Sequence, residues 1–162
     1  MHTIQYTPIG TIHSPFEHCK GTPIQPVAAR DVTGSIELYP DYNAALQDLD
    51  GFSHLILLYH FHCSHGYKLQ VTPFLDTVPR GLFATRAPRR PNPIGLSVVR
   101  LDRIDGTTLY IRDVDIVDGT PLLDIKPYIP LFNPSDQVKV GWLTGKNNQE
   151  ANKRADERFT DA

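Results

Sequence analysis

The stretch LSVVRLDRIDGTTLYIRDVDI, residues 96–116, decides the fold. Apolar Leu109 and Ile111 alternate with Tyr110 and Arg112, the period of a strand with one buried and one wet face. In the middle, Ile104-Asp105-Gly106-Thr107 separates two such runs, and Asp-Gly readily takes the positive φ angles of a tight turn. An antiparallel hairpin follows, joining strand candidates 96–104 and 108–116. Working outward, further candidates lie at 4–13, 33–39, 55–62, 81–85 and 137–142, the last from Val138, Val140 and Trp142 alternating with Lys139 and Gly141. Fourteen prolines and eleven glycines argue against a helical bundle, because proline breaks helix interiors. Two segments read as helices: 42–49, after Asp41 as cap and before Asp50-Gly51 as stop, and 147–159, polar nearly all round. The sum is a mainly β chain, an antiparallel β-barrel or closed sheet with small helices at its rim.

At 162 residues and 40% hydrophobic content, the chain has the size of a single domain, 1–162, able to bury its own core. Two cysteines, Cys19 and Cys63, are too few for a disulfide framework, and the opening MHTIQYTPIG lacks the apolar core of a secretory signal. A cytoplasmic protein without a membrane partner is expected. The longest apolar run, LILLY at 55–59, is far short of the roughly 20 residues of a spanning helix.

A net charge of −2 hides a local asymmetry. Residues 77–101 carry Arg80, Arg86, Arg89, Arg90 and Arg100 and no acid. Within them, RAPRRPNPIG (86–95) is stiffened by Pro88, Pro91 and Pro93, which fix their own φ and push the preceding residues out of the α region. Arginine forks held at set spacings suit a carboxylate or a phosphate; a solvated loop at a protein interface is the plainer alternative. The second dense stretch, DGTPLLDIKPYIP (118–130), reads as a turn at Asp118-Gly119 anchored by Leu122, Leu123 and Ile125. It leaves Asp118, Asp124, Lys126 and Tyr128 on a rigid frame, or Asp124 and Lys126 as an ordinary surface pair.

His60 and His62 share a strand face, with Cys63 and His65 close behind, a density that invites a metal. Cys63 alternates to the opposite face and no glutamate supports the set, so histidines lining a ligand pocket are the stronger reading. There is no GxGxxG, P-loop or GxSxG, so no Rossmann site is indicated.

IGTIHSPF (9–16), FSHLILLYHFH (52–62), GLFATRAPRRPNPIGLSVVRL (81–101) and DGTPLLDIKPYIP (118–130) together resemble the TsaA-like, or TrmO-like, family of S-adenosylmethionine-dependent tRNA methyltransferases. The resemblance runs in order to about residue 132. It implies a seven-stranded antiparallel β-barrel, a homodimer, and methylation of the exocyclic nitrogen of threonylcarbamoyladenosine beside the anticodon. It further implies a cofactor site at Gln25, Pro26, Val27, His62, Cys63, Arg86, Leu96, Asp118, Gly119, Thr120 and Pro121, and no metal. Transfer from a sulfonium needs positioning more than activation, although an amide-like acceptor must also lose a proton. Asp118, Asp124 and Tyr128 are the candidate bases, undivided by the sequence. Arg80, Arg89, Arg90 and Lys126 are the expected contacts to RNA. A non-catalytic RNA-binding barrel and a metal-dependent small-molecule enzyme at His60 and His62 are the alternatives.

Overall fold

The computed structural model describes residues 2–19, 22, 29–132 and 138–145. Eight strands occur among them: β1 (Gly10–His13), β2 (Thr33–Leu38), β3 (His54–His60), β4 (Gln70–Val71), β5 (Arg80–Gly81), β6 (Ile94–Asp105), β7 (Thr108–Arg112) and β8 (Thr120–Pro127). Six of these close into a barrel in the order β1-β2-β7-β6-β3-β8, every neighbouring pair antiparallel, while β4 and β5 form a separate two-stranded ribbon. The antiparallel barrel is as expected, with six strands in its wall where seven were counted. The β6–β7 hairpin is also as read: Asp105 pairs with Thr108, and Gly106 takes φ 58° between them.

Closure follows from the alternation. Ile12, Ile36, Leu38, Leu55, Leu57, Val99, Leu109, Ile111 and Leu122 point inward and are buried, and Val114 and Ile116 join them from the segment after β7. Each such side chain contributes about 1.5–3 kcal/mol on leaving water. The ends of the strands are set by single residues. Asp113 at φ 66° stops β7 at Arg112, well short of residue 116.

Other elements are corrected. Residues 42–49 do not make an α-helix: a 3-10 turn runs Pro40–Leu46, Asp48 enters the left-handed region at φ 62°, and a second turn covers Leu49–Gly51. Residues 138–140 are irregular, and Gly141 at φ 57° turns the chain into a 3-10 turn, Gly141–Leu143, where a strand was expected. Only Arg80–Gly81 of the candidate around 81–85 is extended, followed by the turn Leu82–Ala84. In 4–13, pairing is confined to Gly10–His13. Residue 137 and the expected helix 147–159 lie outside the described residues.

Candidate functional site

The inward face changes character at one end of the barrel. On β3, buried Leu55 and Leu57 give way to Tyr59; on β6, Val99 gives way to Ser97 and Gly95; on β8, Leu122 gives way to Thr120. A cavity of about 620 Å³ opens there, a size typical of small-molecule sites. Its wall includes Tyr59, His62 and Cys63 from the end of β3, the loop 83–88 with Arg86, Leu96 of β6, and Asp115 and Thr120. Trp142 closes one side, its indole Nε1–H donating to the Ala84 carbonyl at 2.7 Å.

The arginine-rich loop is held by its own side chains. Arg90 Nη1 donates to the carbonyls of Thr85 (2.9 Å) and Ala87 (3.4 Å), and its guanidinium lies over Phe83. Arg86 Nη2 donates to the Leu96 carbonyl at 2.6 Å, which ties the loop to β6 and leaves further donors of the fork at the cavity. Two other arginines of the acid-free stretch reach acids outside it. Arg80 pairs with Asp76 at 2.7 Å and lies over Trp142, and Arg100 binds Asp113 and Asp31. Much of the basic charge is therefore structural. Arg89 is half-buried.

Sequence-predicted cofactor residues divide three ways. His62, Cys63, Arg86, Leu96 and Thr120 line the cavity together. Asp118, Gly119 and Pro121 frame Thr120 from outside: Asp118 accepts from the Ser14 amide (3.0 Å) and meets His13 Nδ1 (3.2 Å), Gly119 N–H donates to the Ile12 carbonyl, and Pro121 pairs with Thr11 in the wall. Gln25, Pro26 and Val27 lie outside the described residues.

The candidate bases are not on the cavity wall. The Ser14 amide holds the Asp118 carboxyl below its usual range, which makes it a weak base. Asp124 sits 2.7 Å from Lys126 in an exposed pair, and Tyr128 packs edge-on against His54. The acid that does reach the cavity is Asp115, which the sequence reading passed over. Ser97 Oγ donates to its Oδ1 at 2.7 Å, and Tyr59 Oη lies 3.0 Å from Ser97 Oγ. Burial pushes the Asp115 carboxyl up to about 6, against the pull of Ser97 and of Arg86 nearby, and burial likewise raises the Tyr59 phenol.

His62 Nδ1 lies 3.3 Å from Thr120 Oγ1, and burial, with His60 beside it, lowers its pKa. Burial raises the Cys63 thiol, as does its hydrogen-bonded neighbour Cys19. Among the described residues, no group of three or more His, Cys, Asp or Glu side chains is arranged to hold a metal. No described helix is long and apolar enough to cross a membrane.

Residues 11–134, the segment that builds the barrel and most of this cavity, match the family model for the tRNA-methyltransferase O N-terminal domain. The chain belongs to this family. A probable S-adenosyl-L-methionine-binding protein of Pyrococcus abyssi is 52% identical over 156 residues, covering 96% of this chain and 85% of that protein. The tRNA (adenine(37)-N6)-methyltransferase of Escherichia coli is 39% identical over 140 residues, 80% of this chain and 60% of the relative. The crystal structure of TrmO from Pseudomonas aeruginosa superposes with a TM-score of 0.72 at 38% identity, covering 87% of this chain and 63% of that one. The chain thus spans under two thirds of the length of the latter two proteins.

Proposed function

We propose that this protein is an S-adenosylmethionine-dependent tRNA methyltransferase that acts on N6 of the adenosine beside the anticodon. The observation that carries this reading is convergence: His62, Cys63, Arg86, Leu96 and Thr120, drawn from three separate motifs, line one cavity. The names of the Pyrococcus and Escherichia relatives supply the cofactor and the acceptor. Arg86 offers a forked partner for the cofactor carboxylate. Leu96 and the turn Asp118-Gly119-Thr120-Pro121 frame the adenosine, and the family resemblance adds Gln25, Pro26 and Val27 as cofactor contacts. In-line transfer to nitrogen then rests on placing the acceptor opposite the methyl group, and positioning supplies much of the rate.

The finer reading is that the acceptor already carries a threonylcarbamoyl group, whose carboxylate and flanking phosphates meet Arg80, Arg89, Arg90 and Lys126. Of these, Arg80 also pairs with Asp76, Arg90 with the Thr85 carbonyl and Lys126 with Asp124. Of the candidate bases, Asp118 stands two residues from the cavity-lining Thr120, while Asp124 lies farther along β8 and Tyr128 just beyond its end. We further propose a cytoplasmic homodimer of this single 1–162 domain. Nucleoside mass spectrometry tests the whole reading: tRNA incubated with protein and S-adenosylmethionine gains one methyl on the modified adenosine. Methylation of unmodified adenosine would remove the threonylcarbamoyl requirement. No methylation of either, with intact cofactor binding, would favour a binding role.

A further inference from the structure

Asp115 is the one carboxylate lining the cavity among the described residues. It is also poorly compensated. Its hydrogen bonds, from Ser97 and from its own backbone amide, are both neutral, while Arg86 acts on it only electrostatically and places Nη2 on the Leu96 carbonyl instead. Of the groups that act on it, Tyr59 of β3 and Ser97 of β6 are neutral at pH 7 and Arg86 of the loop is a cation; Arg90, which also lines the cavity, donates to the Thr85 and Ala87 carbonyls. On its own segment, Asp113 turns to Arg100 and the Asp31 amide, and Asp118 turns to Ser14 and His13. A recessed carboxylate without a contacting cation is costly, and a ligand that brings one relieves the cost.

A cation and an anion that line one cavity, close enough to interact electrostatically but not paired with each other, complement an α-amino acid zwitterion. The methionine half of S-adenosylmethionine is such a group. We propose that Arg86 and Asp115 form one clamp, Arg86 taking the α-carboxylate and Asp115 the α-ammonium of the cofactor. This rests on the cofactor reading above. The ammonium suits Asp115 better than the sulfonium does, since it brings N–H donors for charge-assisted bonds to carboxylate oxygens and the sulfonium brings none. The clamp also fixes the α-carbon, so the sulfonium carbon chain enters the cavity from a set point.

A pH signature follows. In the free protein Asp115 is half protonated near pH 6, and it must ionise before it can hold a cation. Affinity is therefore level above about pH 7 and falls toward tenfold per pH unit well below 6, with about half a proton released per cofactor at pH 6. His62 also lines the cavity and is titratable, so His62→Gln is measured beside the parent to separate its share.

Isothermal titration calorimetry of the full chain with S-adenosylmethionine and with S-adenosylhomocysteine, in two buffers from pH 5 to 7.5, tests the clamp. Asp115→Asn, close in shape, should weaken both ligands alike by about 10- to 100-fold at pH 7 and abolish the proton release that remains in His62→Gln. Loss for S-adenosylmethionine alone would put Asp115 at the sulfonium and overturn the ammonium assignment. Equal affinity in parent and Asp115→Asn would overturn the clamp while leaving the cofactor reading intact. No binding by the parent would overturn the cofactor reading itself. Should Asp115→Asn fail to fold, the parent decides: absence of proton release at pH 6 would sink the clamp.

Discussion

Two proline-bearing segments enclose the cavity, 86–95 and 118–127, and they become rigid by opposite routes. The first has no sheet partner until Ile94; prolines set its φ angles, Arg90 bonds its carbonyls, and Thr85 Oγ1 accepts from the Ala87 amide at 3.3 Å. The second is a strand, β8, paired with β1 on one edge and β3 on the other. A loop braced by its own side chains can aim Arg86 at a ligand from outside the barrel. A strand paired on both edges can offer only its inward side chains, and here that is Thr120. The loop supplies charge and the strand supplies shape.

The largest expected effect comes from adding one carbon where the loop becomes β6. A Cβ on Gly95 would fall within the ring of Tyr59, which packs across the bare backbone and carries the hydroxyl that meets Ser97. The ring has little room to shift, since it is buried and stacked edge-on against Phe61 at 5.4 Å. Gly95→Ala should cost about 3 kcal/mol or more, at the high end of overpacking, and disturb the Tyr59–Ser97–Asp115 chain with it. Thermal unfolding checks the first part and cofactor calorimetry the second. A melting point within a few degrees of the parent would mean that the loop junction gives way more easily than its packing implies.

How much of this was legible varies with the kind of signal. Half-buried strands announce themselves by alternation: β2, β3 and β6 fall close to their predicted bounds, and β7 starts where expected, at Thr108, although it stops short at Arg112. The strand β8 did not announce itself, because Pro121 and Pro127 at its ends mimic the punctuation of a loop, and apolar Leu122, Leu123 and Ile125 break the period of two. Conversely, Val138 and Val140 alternate correctly and pair with nothing in the barrel; pattern alone carries no partner. In the site, Arg86, Leu96, His62, Cys63 and Thr120, named through the family resemblance, do line one cavity. Asp115 was not legible, since its partners Ser97 and Tyr59 are distant in sequence and only barrel closure recesses it.

The next effect isolates the charge that the loop supplies. Arg86→Ala should leave the barrel folded, since the lost bond to the Leu96 carbonyl lies at the exposed rim. It should weaken S-adenosylmethionine by about 10- to 100-fold, the range for a charge-assisted hydrogen bond. Arg90→Ala sharpens the contrast: it removes the brace and keeps Arg86, so it should lose less affinity and show a larger entropic penalty on binding. Equal losses in the two variants would mean that Arg86 acts by bracing the loop and not by touching the ligand.

On the strand side, Gly119 turns the chain into β8 at φ 73°, and a Cβ there would meet no heavy atom within 4 Å. Gly119→Ala therefore costs backbone strain alone, about 1–2 kcal/mol. Urea denaturation should show that loss with an unchanged slope. A cost as large as that of Gly95→Ala would mean that the turn is as tightly packed as the loop junction, and the division between charge-bearing loop and shape-bearing strand would lose its basis.

The smallest effect tests whether the strand segment has any role toward RNA. Lys126 lies on the outer end of β8, 2.7 Å from Asp124, and both side chains are well exposed, at 59% and 42%. Exposed pairs of this kind contribute about 0–1 kcal/mol, so Lys126→Ala should hardly move the unfolding midpoint. Its effect belongs to tRNA binding instead. If Lys126 neutralises one phosphate, its removal lowers the slope of log affinity against log salt by about 0.7–0.9, through the loss of one counterion-release event. Arg89→Ala, made in the loop, should lower the slope by the same amount, placing both segments on one RNA face. A changed slope for Arg89→Ala with none for Lys126→Ala would confine RNA to the loop and leave the pair with Asp124 as a surface contact of the barrel.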